Sequence, residues 1–334
     1  MSVLGRRAAS SRSTSSLPYD VTQFLDNYPS QPPTPNQSFL SNPTARNSPN
    51  WAFYRDQIPA KPNKLTITQV HEQWFGDWTE LERNHSYIQW LFPIPESGVN
   101  PSAIPLARHE IVLIRRCPTA QLRLLRSYKL MLDFYGLQLI TSNSSTPTGP
   151  ALAPTSAQSS SCDSSPSSHR DELLEVTGAL TRRQPHARRY QHLARHGHNN
   201  LRLTRILKCL QLLWAGNGKL AKGLVLWLMA EGSRAATPRS KVKAEIVEGG
   251  SDEDDGGEES ASEDEEREHD AEGQWLNSSG IRTSMKGWWT QCVSDAQDRE
   301  IVAKWSTRIS NGERIEDEEY REEMYCHKLE SSTA

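Results

Sequence analysis

TAQLRLLRSYKLMLDFYGLQL, residues 119–139, decides the fold class. Leu124/Leu125, Tyr128, Met131/Leu132 and Tyr135 return at three- and four-residue intervals, the period of a helix with one oily stripe. Arg123, Arg126, Lys129 and Asp133 fall on other faces. The spacing predicts a long helix laid on a core. Gly136 is placed to end it, because glycine takes the left-handed conformation common at helix C-termini.

Working toward the N-terminus, LTITQVHEQWF puts Ile67, Val70, His71 and Trp74 on one helical face, with Thr66 as its N-cap. Asp77 is placed to cap a short helix through WTELERN. Tyr87, Ile88, Leu91 and Phe92 fit one or two turns that Pro93 must stop, since its ring clashes with the carbonyl four residues back. Pro95, Gly98 and Asn100-Pro101 keep the chain irregular until PLARHEIVLI resumes a helix.

Toward the C-terminus, residues 141–168 are rich in Ser, Thr and Pro. They read as a flexible insertion inside the domain, because loop-closure entropy grows only logarithmically with length. NNLRLTRILKCLQLLWAG then aligns Leu203, Ile206/Leu207, Leu210 and Leu213/Trp214, with Asn199 or Asn200 expected as N-cap and Gly216 at the end. KLAKGLVLWLMAEG is apolar almost all round and reads as a buried helix. The expectation is a mostly α chain: one irregular helical-bundle domain over residues 51–232, a disordered leader over 1–48 and an acidic disordered linker over 233–272. A tryptophan-bearing helical segment follows over 273–334. In it SDAQDREIVAKWSTRI is a helix able to dock on the core, and ERIEDEEYREEMYCHKLE an exposed one.

The net charge of −3 hides a division. Residues 1–244 hold 29 lysines and arginines against 15 acids, while residues 245–272 hold 15 acids and Arg267 alone. Such asymmetry speaks of partners, not of fold. Five scattered cysteines with no CxxC spacing point to free thiols in a reducing compartment. No run approaches the ~20 apolar residues that span a bilayer.

Four stretches together carry a resemblance: WAFYRDQIPAKP, VHEQWFGDWTELERNHSYIQWLFPI, LLRSYKLMLDFYG and HNNLRLTRILKCL. In this order they resemble the core domain of the opioid growth factor receptor family. The resemblance implies a helical, non-enzymatic, receptor-like protein that binds an opioid-type peptide and regulates growth. It also implies a nuclear or cytoplasmic location, with peripheral association to the nuclear envelope or membrane. The tail here lacks the proline- and glutamate-rich tandem repeats of mammalian members, and the loop after Leu139 is expanded.

Trp74, Trp78, Tyr87, Trp90 and Phe92 read first as core. As a pocket they would suit a short aromatic peptide, with Asp77 or Glu80 meeting its amine and Arg83 or Arg126 its carboxylate. Between Glu175 and Glu231 lies no acid, but there are ten cations, among them Arg182, Arg183, Arg188, Arg189, Arg195, Arg202, Arg205 and Lys208. This basic face suits phosphates, the alternative reading being a nucleic-acid or chromatin adaptor. It suits the chain's own acidic run better, because the two charges nearly match and the tether keeps the local concentration high.

Lys243 sits in a VKAE motif fit for SUMO attachment. Ser251, Ser260 and Ser262 precede acids, and Thr34, Ser48 and Thr237 precede proline, as kinases of two classes prefer. Catalysis finds little support. AGNGKL lacks the spacing of a phosphate loop, and VHEQW lacks the second histidine of a zinc-protease helix. His192 and His196 have helical metal-ligand spacing with no acid beside them in sequence, so neither metal nor cofactor is expected.

Overall fold

A computed structural model describes residues 47–141, 173–216, 218–235, 276, 278–293 and 295–325. The leader through residue 46, the bulk of the serine-rich insertion, the acidic run, Lys243, Ser251, Ser260, Ser262, Thr34 and Thr237 lie outside the described residues. What is described is mostly helix, joined by one small sheet.

The first helix, α1 (Pro49–Tyr54), has proline in its first turn, where the missing N–H costs nothing. α2 (Ile67–Trp74) is closed by Thr66 and Gln69 in a reciprocal capping box, and α3 (Trp78–Arg83) by the Asp77 carboxylate accepting from Glu80 N at 2.9 Å. α4 (Ile88–Leu91) is a single turn stopped before Pro93. α5 (Arg108–Arg116) begins three residues later than PLARHEIVLI suggested. The buried Glu110 carboxylate fixes that start. It accepts from Ala107 N at 2.9 Å and also from Asn50 N (2.8 Å) and Trp51 N (3.1 Å), so one acid closes the N-termini of α5 and α1. Ser48 is buried with its hydroxyl 2.9 Å from His109 Nε2, so it is part of the folded region.

α6 (Pro118–Phe134) is the long helix read from the opening stretch. Its stripe is buried as expected. Asp133 is a correction: it lies inside, 2% exposed, because cations and an indole reach it from three other elements. Gly136, at φ +76°, ends the helix and turns the chain into β1 (Leu137–Thr141). β1 pairs antiparallel with β2 (Val176–Arg182), Leu137 opposite Arg182 and Leu139 opposite Leu180, with an irregularity before Thr141 meets Val176. The insertion therefore leaves and re-enters between paired strands.

α7 (His186–Arg195) and α8 (Gly197–Leu213) follow, meeting at His196. α8 starts before Asn199 and Asn200, so neither is its cap. It ends at Trp214 rather than Gly216. α9 (Lys219–Ala235) is buried along most of its length and continues into residues expected to be linker, with Ser233 1% exposed. Fully buried leucines such as Leu220 and Leu226 each contribute about 1.5–3 kcal/mol relative to exposure. α9 crosses β2 at two glycines: a Cβ on Gly223 would lie 2.0 Å from Gly178 O, so only paired glycines let these backbones meet.

The C-terminal part docks on the same core. α10 (Ser279–Gly287) is capped by Ser278, a 3₁₀ turn follows (Trp289–Cys292), and α11 (Ala296–Ser310) is capped by Asp295. Trp289 is fully buried and donates from Nε1 to Thr204 Oγ1 on α8 at 2.9 Å. α12 (Asp317–Tyr325), expected to be exposed, buries Tyr320 and Met324. The Tyr320 hydroxyl accepts from Leu180 N (2.9 Å) and donates to Gly223 O (3.1 Å), satisfying the open edge of β2. Cys117, Cys209 and Cys292 are free thiols. Among the described residues no helix is long and apolar enough to cross a membrane.

Candidate functional site

The aromatic group is core, not pocket. Trp74, Tyr87, Trp90 and Phe92 are buried, and Trp78 is half-buried. Trp74 meets Tyr87 edge-on at 5.4 Å, and Phe53 lies 5.3 Å from Trp90. Their polar atoms are paired internally: Tyr87 OH with Leu81 O (3.1 Å), Trp90 Nε1 with Lys61 O (3.0 Å) and Trp78 Nε1 with Asp133 Oδ2 (2.9 Å). Asp77, Arg83 and Arg126 stand on the outside, so they and the rings do not enclose a common space.

The basic run does not form one outer face. Arg189, Arg202 and Lys208 are buried, and Arg188 and Arg195 are exposed. Arg202 donates to Leu81 O (2.9 Å), Glu82 O (3.3 Å), Asn84 O (2.9 Å) and Asn199 Oδ1 (2.9 Å). It thus satisfies the orphan carbonyls at the C-terminal end of α3, where a cation is favoured. Arg205 Nε reaches Phe92 O at 2.8 Å, the last carbonyl before the Pro93 break, and burial lowers its pKa to about 10.

Lys208 Nζ sits 2.9 Å from Glu96, and Arg183 Nε 2.9 Å from Asp133. Arg182 meets Glu231 and Asp317, and Arg234 meets the same two acids. Burial raises the Glu231 carboxyl against the pull of both arginines. Among the described residues the counter-charges are these single acids and backbone carbonyls; the acidic run lies outside the described residues. The sequence marked the charge correctly. It carried no sign of the helix ends that would absorb it.

Two features remain on the surface. A cavity of about 590 Å³ lies between α9, α10 and α11. Leu228, Met229, Leu276, Ile281, Met285 and Ile309 line it, with Arg282 and Lys286 exposed on its α10 side. Sequence reading missed it because each wall lies on a different helix.

The other feature is a histidine cluster around Glu82. Glu82 Oε2 is 2.8 Å from His192 Nδ1 and accepts from Asn199 Nδ2 at 3.1 Å, while Oε1 is 2.7 Å from His198 Nε2. Burial works to raise the carboxyl, but bonds from His192 and Asn199 and the charges of His192 and His198 hold it down to about 2. The His85 ring lies 4.7 Å from that of His198, and His196 5.5 Å from it. The acid missing from the neighbourhood of His192 and His196 in sequence is supplied by α3, more than a hundred residues earlier.

Comparison with known proteins falls on the same core. The family model for the opioid growth factor receptor (OGFr) conserved region matches residues 43–148 and 172–248, leaving out most of the insertion and the C-terminal helices. The human opioid growth factor receptor is 34% identical over 191 residues, which cover 57% of this chain and 22% of that protein. The mouse opioid growth factor receptor-like protein 1 is 34% identical over 191 residues, covering 57% of this chain and 32% of that protein. The chain thus spans only about a fifth to a third of the length of these relatives. No solved structure matches it.

Proposed function

Because the chain belongs to the opioid growth factor receptor family, we propose that it is a non-enzymatic, regulatory binding protein whose ligand is a short peptide with apolar side chains. The observation that carries the site is the cavity between α9, α10 and α11. Its size falls within the usual range of small-ligand pockets, and its walls are leucine, isoleucine and methionine. Apolar side chains of a peptide would lie against Met229, Ile281 and Met285, with its carboxylate toward the exposed Lys286. Most of the cavity is built by residues beyond the family match, so its ligand preference belongs to this chain.

A non-catalytic role accords with the thiols. Burial pushes Cys209 far above the range of a reactive thiol and Cys292 up to about 12. Titration calorimetry of the full chain with Tyr-Gly-Gly-Phe-Met tests the reading. Saturable one-to-one binding is expected, lost on Met285→Trp, which fills the cavity. No heat from the wild-type chain at high micromolar peptide overturns the reading. Undiminished binding by the Met285→Trp variant overturns the assignment to this cavity. A nuclear or cytoplasmic location is part of the same proposal, and imaging of a tagged chain tests it.

A further inference from the structure

Glu82, His196 and His198 bring three ligand atoms within 4.8 Å of one another. They come from two places that only the fold joins: the last turn of α3, and the corner where α7 gives way to α8. At that corner His196 has extended backbone (φ −121°, ψ 100°), and its side chain caps nothing. His198 lies in the first turn of α8.

Glu82 and His198 are already in close contact: Nε2 and Oε1 are 2.7 Å apart, and Nε2 is buried from solvent. The other carboxylate oxygen is already held by His192 and Asn199, which fix the carboxylate plane. Such outer partners orient metal-binding carboxylates and imidazoles. Arg202, the nearby cation, is turned to four oxygen acceptors.

We propose that Glu82, His196 and His198 form a binding site for a zinc-type divalent ion, with a fourth position open to water. Two imidazoles and one carboxylate suit a borderline ion such as Zn²⁺. Calcium and magnesium prefer oxygen ligands throughout. Tetrahedral ligation places ligand atoms roughly 3.3 Å apart, so the Glu82–His198 pair opens slightly and the exposed His196 swings in. The bound ion ties α3 to the α7–α8 corner, beside the bonds of Arg202. Binding that favours the folded chain then raises its stability.

The experiment uses the full chain stripped of metal by chelation. Zn²⁺ is followed by calorimetry and Co²⁺ by the visible absorption of a tetrahedral centre. One ion per chain and a higher melting temperature with Zn²⁺ are expected. His196→Ala, His198→Ala and Glu82→Gln should each weaken binding at least ~10-fold and remove the melting shift. His196→Ala is the decisive variant, since an exposed side chain that caps nothing can go without disturbing the fold. His269→Ala, in the acidic run, serves as the control and should bind as the wild type does. Absence of Zn²⁺ binding by the wild type, or affinity that survives His196→Ala, overturns the proposal.

Discussion

Arg189 Nη1 donates to Asp133 twice, to the carbonyl at 2.7 Å and to Oδ1 at 2.9 Å, and both side chains are only 3% exposed. The two residues stand on opposite sides of the serine-rich insertion. Arg183 and the Trp78 indole converge on the same carboxylate, so Asp133 is the acceptor around which α3, α6, α7 and the link from β2 to α7 assemble.

Asp133→Ala leaves Arg189 buried without its carboxylate and should cost about 3–5 kcal/mol in urea unfolding. Arg189→Ala should cost a similar amount, and the double variant clearly less than the sum of the two. Simple additivity would show that the pair is not coupled.

Gly223→Ala should destabilise, although alanine is the better helix former by about 1 kcal/mol. The new Cβ would meet Gly178 O at 2.0 Å, so α9 must move off β2 at a cost of roughly 1–3 kcal/mol. A melting temperature equal to or above that of the wild type would contradict this close approach.

Tyr320→Phe removes the hydroxyl that bridges Leu180 N and Gly223 O. A buried strand-edge N–H is left unsatisfied, at a cost of about 1–3 kcal/mol. Limited proteolysis should cut near α12 sooner than in the wild type. Unchanged protection and stability together would mean that α12 does not seal the sheet edge.

The His71 imidazole lies 2.8 Å from Ser127 Oγ and faces Arg126 and Arg123, with Asp56 opposing them. Burial, then the two arginines, lowers its pKa to about 3. The unfolded chain takes up that proton near pH 6.5, so the neutral ring's contribution is complete above ~6.5 and lost as pH falls toward 3. His71→Gln should flatten the stability curve by one proton's slope between pH 6 and 4, read from denaturant midpoints. Parallel curves for the two proteins would show that His71 titrates normally.

The helices were legible where the signal was local. The stripe of Leu124, Tyr128 and Met131, the caps Thr66 and Asp77, and the stop at Pro93 are all decided within a few residues. The sheet was not legible, because LQLIT and VTGALTR are short and their pairing spans the insertion. Burial of the arginines was also hidden. A basic run looks the same in sequence whether it faces water or the carbonyl ends of α3 and α4. Glu82 meets its histidines only through contacts made across more than a hundred residues, and no spacing rule reaches that far.

The pairing of Thr141 with Val176 gives the chain a splice point. Both ends of the intervening stretch are pinned at neighbouring rungs, so doubling its length adds only about 0.6 kcal/mol of closure entropy. Relatives are therefore at liberty to lengthen or trim it without retuning the core. A fluorescent reporter spliced there should leave the melting temperature nearly unmoved.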